Sequence, residues 1–276
     1  MKKKQHTQKK ARVELEVRRV FKDFVESKKR ARALDSVSFS VHEHEFVCIV
    51  GPSGCGKSTL LRMIAGLEFP SKGDVLFRGK RVGGPDPKTS AMIFQTFALL
   101  PWRNVYENIS LGLESIGTPI ERRPSIINKY IKLMDLEDFS DAYPFELSGG
   151  MKQRVGIARA LAVEPRMLLM DEPFSALDAL TAENLRRDVL EIWSDPRTPT
   201  NTFVMITHLI DEAVFMADRV IVLSRRPGKV IADIHVDVER PRVDHARDPE
   251  FFEMCDMIKR MISYHSGGTI PEPDTP

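Results

Sequence analysis

A chain of 276 residues that is 42% hydrophobic can bury a substantial core, as one large domain or two small ones. Lysine and arginine number 41 against 39 acids, a net charge of +2, so no whole-chain field gathers nucleic acid and no DNA or RNA partner is expected. The longest apolar runs, such as MLLM at 167–170, fall far below the roughly 18 residues of a membrane-spanning helix, so any crossing of a membrane is left to another chain.

In chain order, residues 1–12, MKKKQHTQKKAR, carry six basic groups and no acid and are expected to form a flexible, solvated tail. No apolar segment of the secretory type follows it. Stretches rich in β-branched residues predict strands near 13–17, 37–41, 45–50, 73–77 and 91–94, and again near 166–171, 202–206, 219–223 and 229–235. Between Pro101 and Ala162 no strand pattern appears. There 104–112, 121–135 and 150–162 have helical patterns broken by Pro119, Pro124, Pro144 and the Gly149–Gly150 pair, which predicts a helical subdomain, about 96–162, inserted into the core. Beyond residue 240 an extension, 241–276, holds one predicted helix near 248–262 and a tail, SGGTIPEPDTP, expected to be flexible. The alternation reads as α/β with a largely parallel central sheet. VCIV before Gly51, MLLM before Asp171 and FVMI before Thr207 are apolar at consecutive positions, as strands covered on both faces should be. Cys48, Cys55 and Cys255 are too few and scattered for a disulfide framework or zinc site, and fit a reducing cytoplasm.

The run Gly51, Pro52, Ser53, Gly54, Cys55, Gly56, Lys57, Ser58, Thr59 follows a buried strand and opens a helix, the context that the G-x-x-x-x-G-K-[ST] motif requires. Its glycines let backbone N–H groups turn inward around the phosphates of ATP, and the helix N-terminus adds a favourable dipole. Lys57 should reach the β- and γ-phosphates, serving binding and chemistry together, and Ser58 should place its hydroxyl on Mg2+. A glycine-rich turn with an incidental lysine is the competing account, and the flanking strand and helix weigh against it. At MLLMDEP, Asp171 emerges at the C-terminal end of a buried strand, where α/β sheets bind ligands, as a magnesium ligand, with Glu172 placed as general base for the attacking water. An Asp–Glu pair at a strand end is often only a solvated turn. The companion phosphate loop is what favours the catalytic reading.

LSGGMKQRVGIARAL, combined with GPSGCGKST and LLMDEP, resembles the ABC transporter ATPases over about residues 13–240. The resemblance implies a P-loop NTPase core with an antiparallel β region near the N-terminus and an inserted helical subdomain. It implies a head-to-tail, ATP-sandwich dimer with a second copy of the chain, in which Ser148, Gly149 and Gly150, capping a helix that starts near Met151, clamp the γ-phosphate held by the partner subunit. Gln95 is similar to the glutamine that contacts magnesium beside the nucleotide and reports its state to the membrane subunit. Asp178 matches the D-loop aspartate that crosses the interface, and His208 the switch histidine on the γ-phosphate. Phe24 matches the aromatic that stacks on adenine, although Phe21 is an alternative and core packing a third account. The segment FALLPWRNVYENISLGLE at 97–114 suggests a docking groove for a partner helix, with core packing as the competing account.

The same segments look like the bacterial importers of nitrate, sulfonate and taurine. The partners this implies are a transmembrane permease, which would hold the chain on the cytoplasmic face of the membrane, and, through it, a periplasmic or extracellular solute-binding protein. The alternative is a non-transport ABC ATPase of DNA repair or translation, disfavoured because neither a long heptad insertion nor a second ATPase domain is present. A P-loop GTPase or small-molecule kinase leaves LSGGMKQR unexplained and lacks N-K-x-D, since Asn128-Lys129 continues Tyr-Ile. The solute is not legible in this chain, nor is homodimer against heterodimer. Two departures from the family pattern stand out. His44 occupies a turn position where relatives carry glycine, so an altered turn is expected, and Leu209 replaces an aspartate after the switch histidine.

Overall fold

A computed structural model describes residues 12–26 and 29–265; all but the last residue of the tail expected at 1–12, and the tail expected at 266–276, lie outside the described residues. Two sheets carry the architecture. The first, antiparallel and ordered β2-β1-β4-β5, consists of β1 (Val13–Glu26), β2 (Lys29–His42), β4 (Lys72–Phe77) and the two-residue β5 (Lys80–Arg81). The second is ordered β10-β9-β3-β8-β7-β6 and contains β3 (Phe46–Val50), β6 (Ser90–Ile93), β7 (Met167–Asp171), β8 (Thr202–Ile206), β9 (Arg219–Leu223) and β10 (Val230–His235). All its pairings are parallel except that of β10.

The consecutive apolar residues of the central strands follow from this arrangement. Cys48, Leu168, Met170 and Met205 face one buried cluster, while Val47, Ile49, Leu169 and Val204 face another that includes Leu60, Leu61 and Ile64 of α1 (Lys57–Ile64). Both faces of the sheet are covered, so its central strands are apolar at consecutive positions.

Among the described residues between Pro101 and Ala162 there is no strand, and the longer helices are α2 (Val105–Ser115), α3 (Arg123–Leu133) and α4 (Gly149–Ala162). Asn104 and Glu107 close a capping box on α2. Ile109, Ile127, Ile131 and Val155 join the same cluster as Leu168 and Met170, so the helical insertion shares its core with the sheet.

Past β10 the chain is held by Arg242, 4% exposed, whose guanidinium donates to the carbonyls of Val236, Val238, Phe215 and Ala217. Burial pushes its pKa down to about 10. Phe251, Cys255 and Ile258 of α7 (Pro249–Tyr264) then enter the sheet's core cluster. The turn at His44 is not rebuilt to suit histidine: His44 adopts φ 65, the left-handed conformation natural to glycine, while its N–H donates to Thr202 Oγ1 at 3.2 Å.

Candidate functional site

β3 ends at Val50 in the middle of the parallel sheet, and the chain turns through Gly51–Gly56 into α1. Gly54 and Gly56 have φ of 73° and 108°, which an L side chain rarely adopts. At Gly56 a Cβ would also stand 2.7 Å from Leu34 Cδ2, whereas at Gly54 it would meet open space. No side chain caps α1, so its first-turn N–H groups remain available to an anion. The Lys57 ammonium, almost fully buried, lies across the loop and donates to the carbonyls of Gly51 at 2.8 Å and Pro52 at 3.2 Å. Cys55, proposed with the loop from sequence, is buried and belongs to the core cluster that holds Leu60 and Leu34. Only its backbone can face a ligand.

The carboxylates come from the neighbouring strands. Asp171 is the last residue of β7, in register with Ile206 of β8, and the Glu172 N–H donates to the Ile206 carbonyl at 3.0 Å. Glu172 itself has φ 45, so the chain leaves the strand in a sharp turn. Ser58 Oγ donates to Asp171 Oδ1 at 3.2 Å. Burial pushes the Asp171 carboxyl above its ordinary value; the charge of Glu172 acts in the same direction and the Ser58 hydrogen bond opposes it. A hydroxyl and a buried carboxylate this close form an oxygen donor pair that suits a small hard cation such as Mg2+. His208 Nδ1 lies 3.1 Å from Glu172 Oε2, so with the carboxylate ionised the proton on Nδ1 is donated to it. A carboxylate held this way at a cleft can accept a proton from water.

Gln95 stands near this cluster but contacts a different group: its Nε2 donates to Ser175 Oγ at 3.4 Å, and Ser175 Oγ donates to the Glu172 carbonyl at 3.0 Å. The segment after it is strained, with Phe97 and Ala98 at φ of 52° and 49°, and their carbonyls accept from the Arg159 guanidinium of α4.

A 400 Å³ cleft is lined by Ser53, Lys57, Ser58 and Glu172, by Phe24 on the β1–β2 hairpin, and by Arg226, with Asp171 and His208 reaching it through Ser58 and Glu172. Thr59 lines it as well. Of the two aromatics, Phe24 reaches the cleft, whereas Phe21 packs under the Arg32 guanidinium, 5.5 Å from its ring centroid. Arg226 escaped sequence reasoning. Its signal lay in SRRPG directly after a strand that pairs in parallel with β3, which sets it beside the glycine loop. A larger cavity of 590 Å³, between α5 (Ala179–Ser194), α6 (Ile210–Met216) and the C-terminal extension, contains none of these groups.

The structure does not bring the remaining predicted residues to this cleft. Ser148 is exposed and caps α4, its Oγ accepting from Met151 N at 3.2 Å, so the helix begins at Gly149 rather than near Met151. Gly149 is exposed, but Gly150 is buried, against the expectation that it faces outward: a Cβ there would stand 2.4 Å from Thr181 Cγ2 of α5. Asp178 caps α5 by accepting from Thr181 N at 3.0 Å, a bond that holds its carboxyl below the usual range. Within 97–114, Val105, Ile109 and Leu113 are core residues while Trp102 is 69% exposed.

Comparisons with known proteins identify the family. Residues 34–175 match the family model described as ABC transporter. The chain is 42% identical over 255 residues to the nitrate import ATP-binding protein NrtD of Synechocystis, covering 90% of this chain and 94% of that one. It is 42% identical over 227 residues to the bicarbonate transport ATP-binding protein CmpD of Synechococcus elongatus, covering 80% of each. Among solved structures, a dimeric ATP-binding cassette in a post-hydrolysis state with ADP and phosphate matches with a TM-score of 0.70 and 30% identity, covering 82% of this chain and all of that one.

Proposed function

Because the chain belongs to the ABC transporter family, as an ATP hydrolase of its importer type, we propose that it powers uptake of a small anion, of the nitrate, bicarbonate, sulfonate or taurine class. It works as one of two cassettes in an ATP-sandwich dimer on the cytoplasmic face of a permease, which in turn receives solute from a binding protein. No described helix is long and apolar enough to cross a membrane, so the permease is the spanning partner. The anion class rests on the nitrate and bicarbonate relatives. The non-transport alternative draws no support from either.

One observation carries the mechanism: Lys57, Ser58 and Glu172 share a cleft, and Glu172 is hydrogen-bonded to His208. In our reading the loop N–H groups and Lys57 take the β- and γ-phosphate oxygens, the ammonium exchanging its loop carbonyls for phosphate. Glu172 accepts a proton from water as the oxygen attacks the γ-phosphorus and the bond to the ADP oxygen breaks. His208 orients Glu172 and hydrogen-bonds the phosphoryl group. Ser58 and Asp171, and Gln95 once it leaves Ser175, would hold magnesium, which when bound neutralises charge on the β- and γ-oxygens. Ser148 and Gly149, exposed and outside the cleft, serve the nucleotide of the partner subunit, and Asp178 lies at the same interface.

Deleting the gene and measuring uptake of labelled nitrate, bicarbonate, taurine and an alkanesulfonate tests the transport reading. Uptake of one of these should fall to background and return with the wild-type chain, but not with Glu172→Gln. Unchanged uptake of all four would overturn the anion assignment.

A further inference from the structure

We infer that Arg226 is a further nucleotide-binding residue, whose guanidinium holds the base-and-ribose end of ATP on the hairpin side of the cleft; the inference rests on that cleft being the ATP site. The turn that carries Arg226 is built onto the P-loop. Leu34 and Gly228 form an isolated parallel bridge, with Gly228 N donating to Ala33 O at 2.8 Å and Asp35 N to Gly228 O at 3.0 Å. On its other side Gly228 touches the loop itself: a Cβ there would stand 2.3 Å from the Cys55 carbonyl oxygen. Any side chain at 228 would push hairpin and P-loop apart. With glycine, the turn is wedged between them and Arg226 is delivered to the cleft wall.

Two observations give that guanidinium a ligand rather than a structural task. Its Nε donates to the Arg32 carbonyl at 3.1 Å, which anchors the side chain and leaves both terminal nitrogens to donate elsewhere. On the hairpin side Arg30 and Arg32 pair with Asp23, and Lys229 pairs with Asp35, but among the described residues no carboxylate pairs with Arg226. An anchored, unpaired guanidinium in a cleft with an open phosphate loop suits a polyanionic nucleotide.

Its anchor decides which end of the nucleotide it meets. Arg32 pairs in register with Asp23, the residue before Phe24, and Phe24 lines the cleft. Lys57 and Ser58 lie at the P-loop end, whereas Arg226 belongs with Phe24 at the hairpin end. There a planar guanidinium can stack on a purine face or donate in its plane to ribose oxygens, which the point charge of a lysine does less well.

Calorimetry with the magnesium complexes of a non-hydrolysable ATP analogue and of inorganic tripolyphosphate, on wild type, Arg226→Ala and Arg226→Lys, tests this. Arg226→Ala should weaken the nucleotide by roughly 5- to 10-fold and tripolyphosphate by less than about twofold. Arg226→Lys should recover less than half of the lost affinity, and it carries the test if the alanine variant melts early. Equal weakening of both ligands would assign the contact to the phosphates and overturn the proposal, as would no weakening or full recovery by lysine. Wild-type protein that bound tripolyphosphate but not the nucleotide analogue would instead bring down the ATP-site reading, and this inference with it.

Discussion

The N-termini of α1 and α4 are both glycine-rich, yet they are finished differently. At α1 no side chain caps the helix, Gly54 leaves open space, and the groups that would handle a phosphate are gathered around it: Lys57 on the loop, Ser58 on Asp171, Glu172 on His208. At α4 the cap is closed by Ser148 on Met151 N, Gly150 is packed under Thr181, and the cleft lies elsewhere. An uncapped helix end with its chemistry assembled can take an anion in a single chain. A capped, exposed end gains less from an anion alone, so its use depends on a surface that brings the ligand to it.

The largest test of that difference is at the assembled end. Glu172→Gln keeps every phosphate contact but removes the proton acceptor, so turnover should fall by roughly two orders of magnitude or more while ATP affinity stays within a few-fold. Single-turnover hydrolysis and equilibrium binding separate the two. An ATP-bound dimer of the variant should accumulate on size-exclusion chromatography. Hydrolysis at the wild-type rate would remove Glu172 from the chemistry.

The second test asks whether the two helix ends belong to one chain's site or to two. Lys57→Ala disables the cleft and Ser148→Arg fills the space in front of α4, so each homodimer should be inactive. A mixed dimer keeps one intact composite site, the Lys57 of one chain facing the Ser148 of the other, and mixing should restore a fraction of wild-type ATPase up to about half. If the two sites fire only together, the readout is tighter binding of a fluorescent ATP analogue by a tethered mixed dimer than by the Ser148→Arg chain, whose own cleft is intact. Tethered mixed dimers that bind no more tightly than that variant would end the trans-site reading.

What could be read from sequence divides along similar lines. β3, β7 and β8 were legible because strands covered on both faces must be apolar at every position, and the loop between β3 and α1 because only glycine suits Gly54 and Gly56. The far half of the β1–β2 hairpin was not. Its residues Arg18 to Glu26 and Lys29 to Ser36 are rich in charge, and its ladder is interrupted near Arg19 and Ser36, both at positive φ, which destroys the period-two pattern. Among site residues, Lys57, Ser58, Asp171 and Glu172 announce themselves by short spacing at strand ends. The placing of Arg226 and the burial of Gly150 depend on contacts between residues far apart in the chain, of Arg226 with Arg32 and of Gly150 with Thr181, that no local pattern encodes.

The smallest expected effect separates packing from phosphate binding at the α4 end. Gly150 has an ordinary helical backbone, so alanine there is not strained by φ, and helix propensity alone would favour it by up to ~1 kcal/mol. The methyl, however, would arrive 2.4 Å from Thr181 Cγ2, and Thr181 is fixed through its N–H by Asp178 at the start of α5. Overpacking of this kind costs about 1–3 kcal/mol, so the clash should win. Nucleotide-free Gly150→Ala should therefore melt roughly 2–4 °C below wild type, as a net loss near 1 kcal/mol implies for a chain of this size. Thr181→Ser removes the obstructing methyl and keeps the N–H that Asp178 caps. The double variant should recover the lost stability, and because the new Cβ points into α5 rather than outward, it should also retain most ATPase activity, unlike Ser148→Arg. If stability returns and ATPase does not, the glycine at 150 is needed by the partner's nucleotide as well as by Thr181, and the packing account of this position fails.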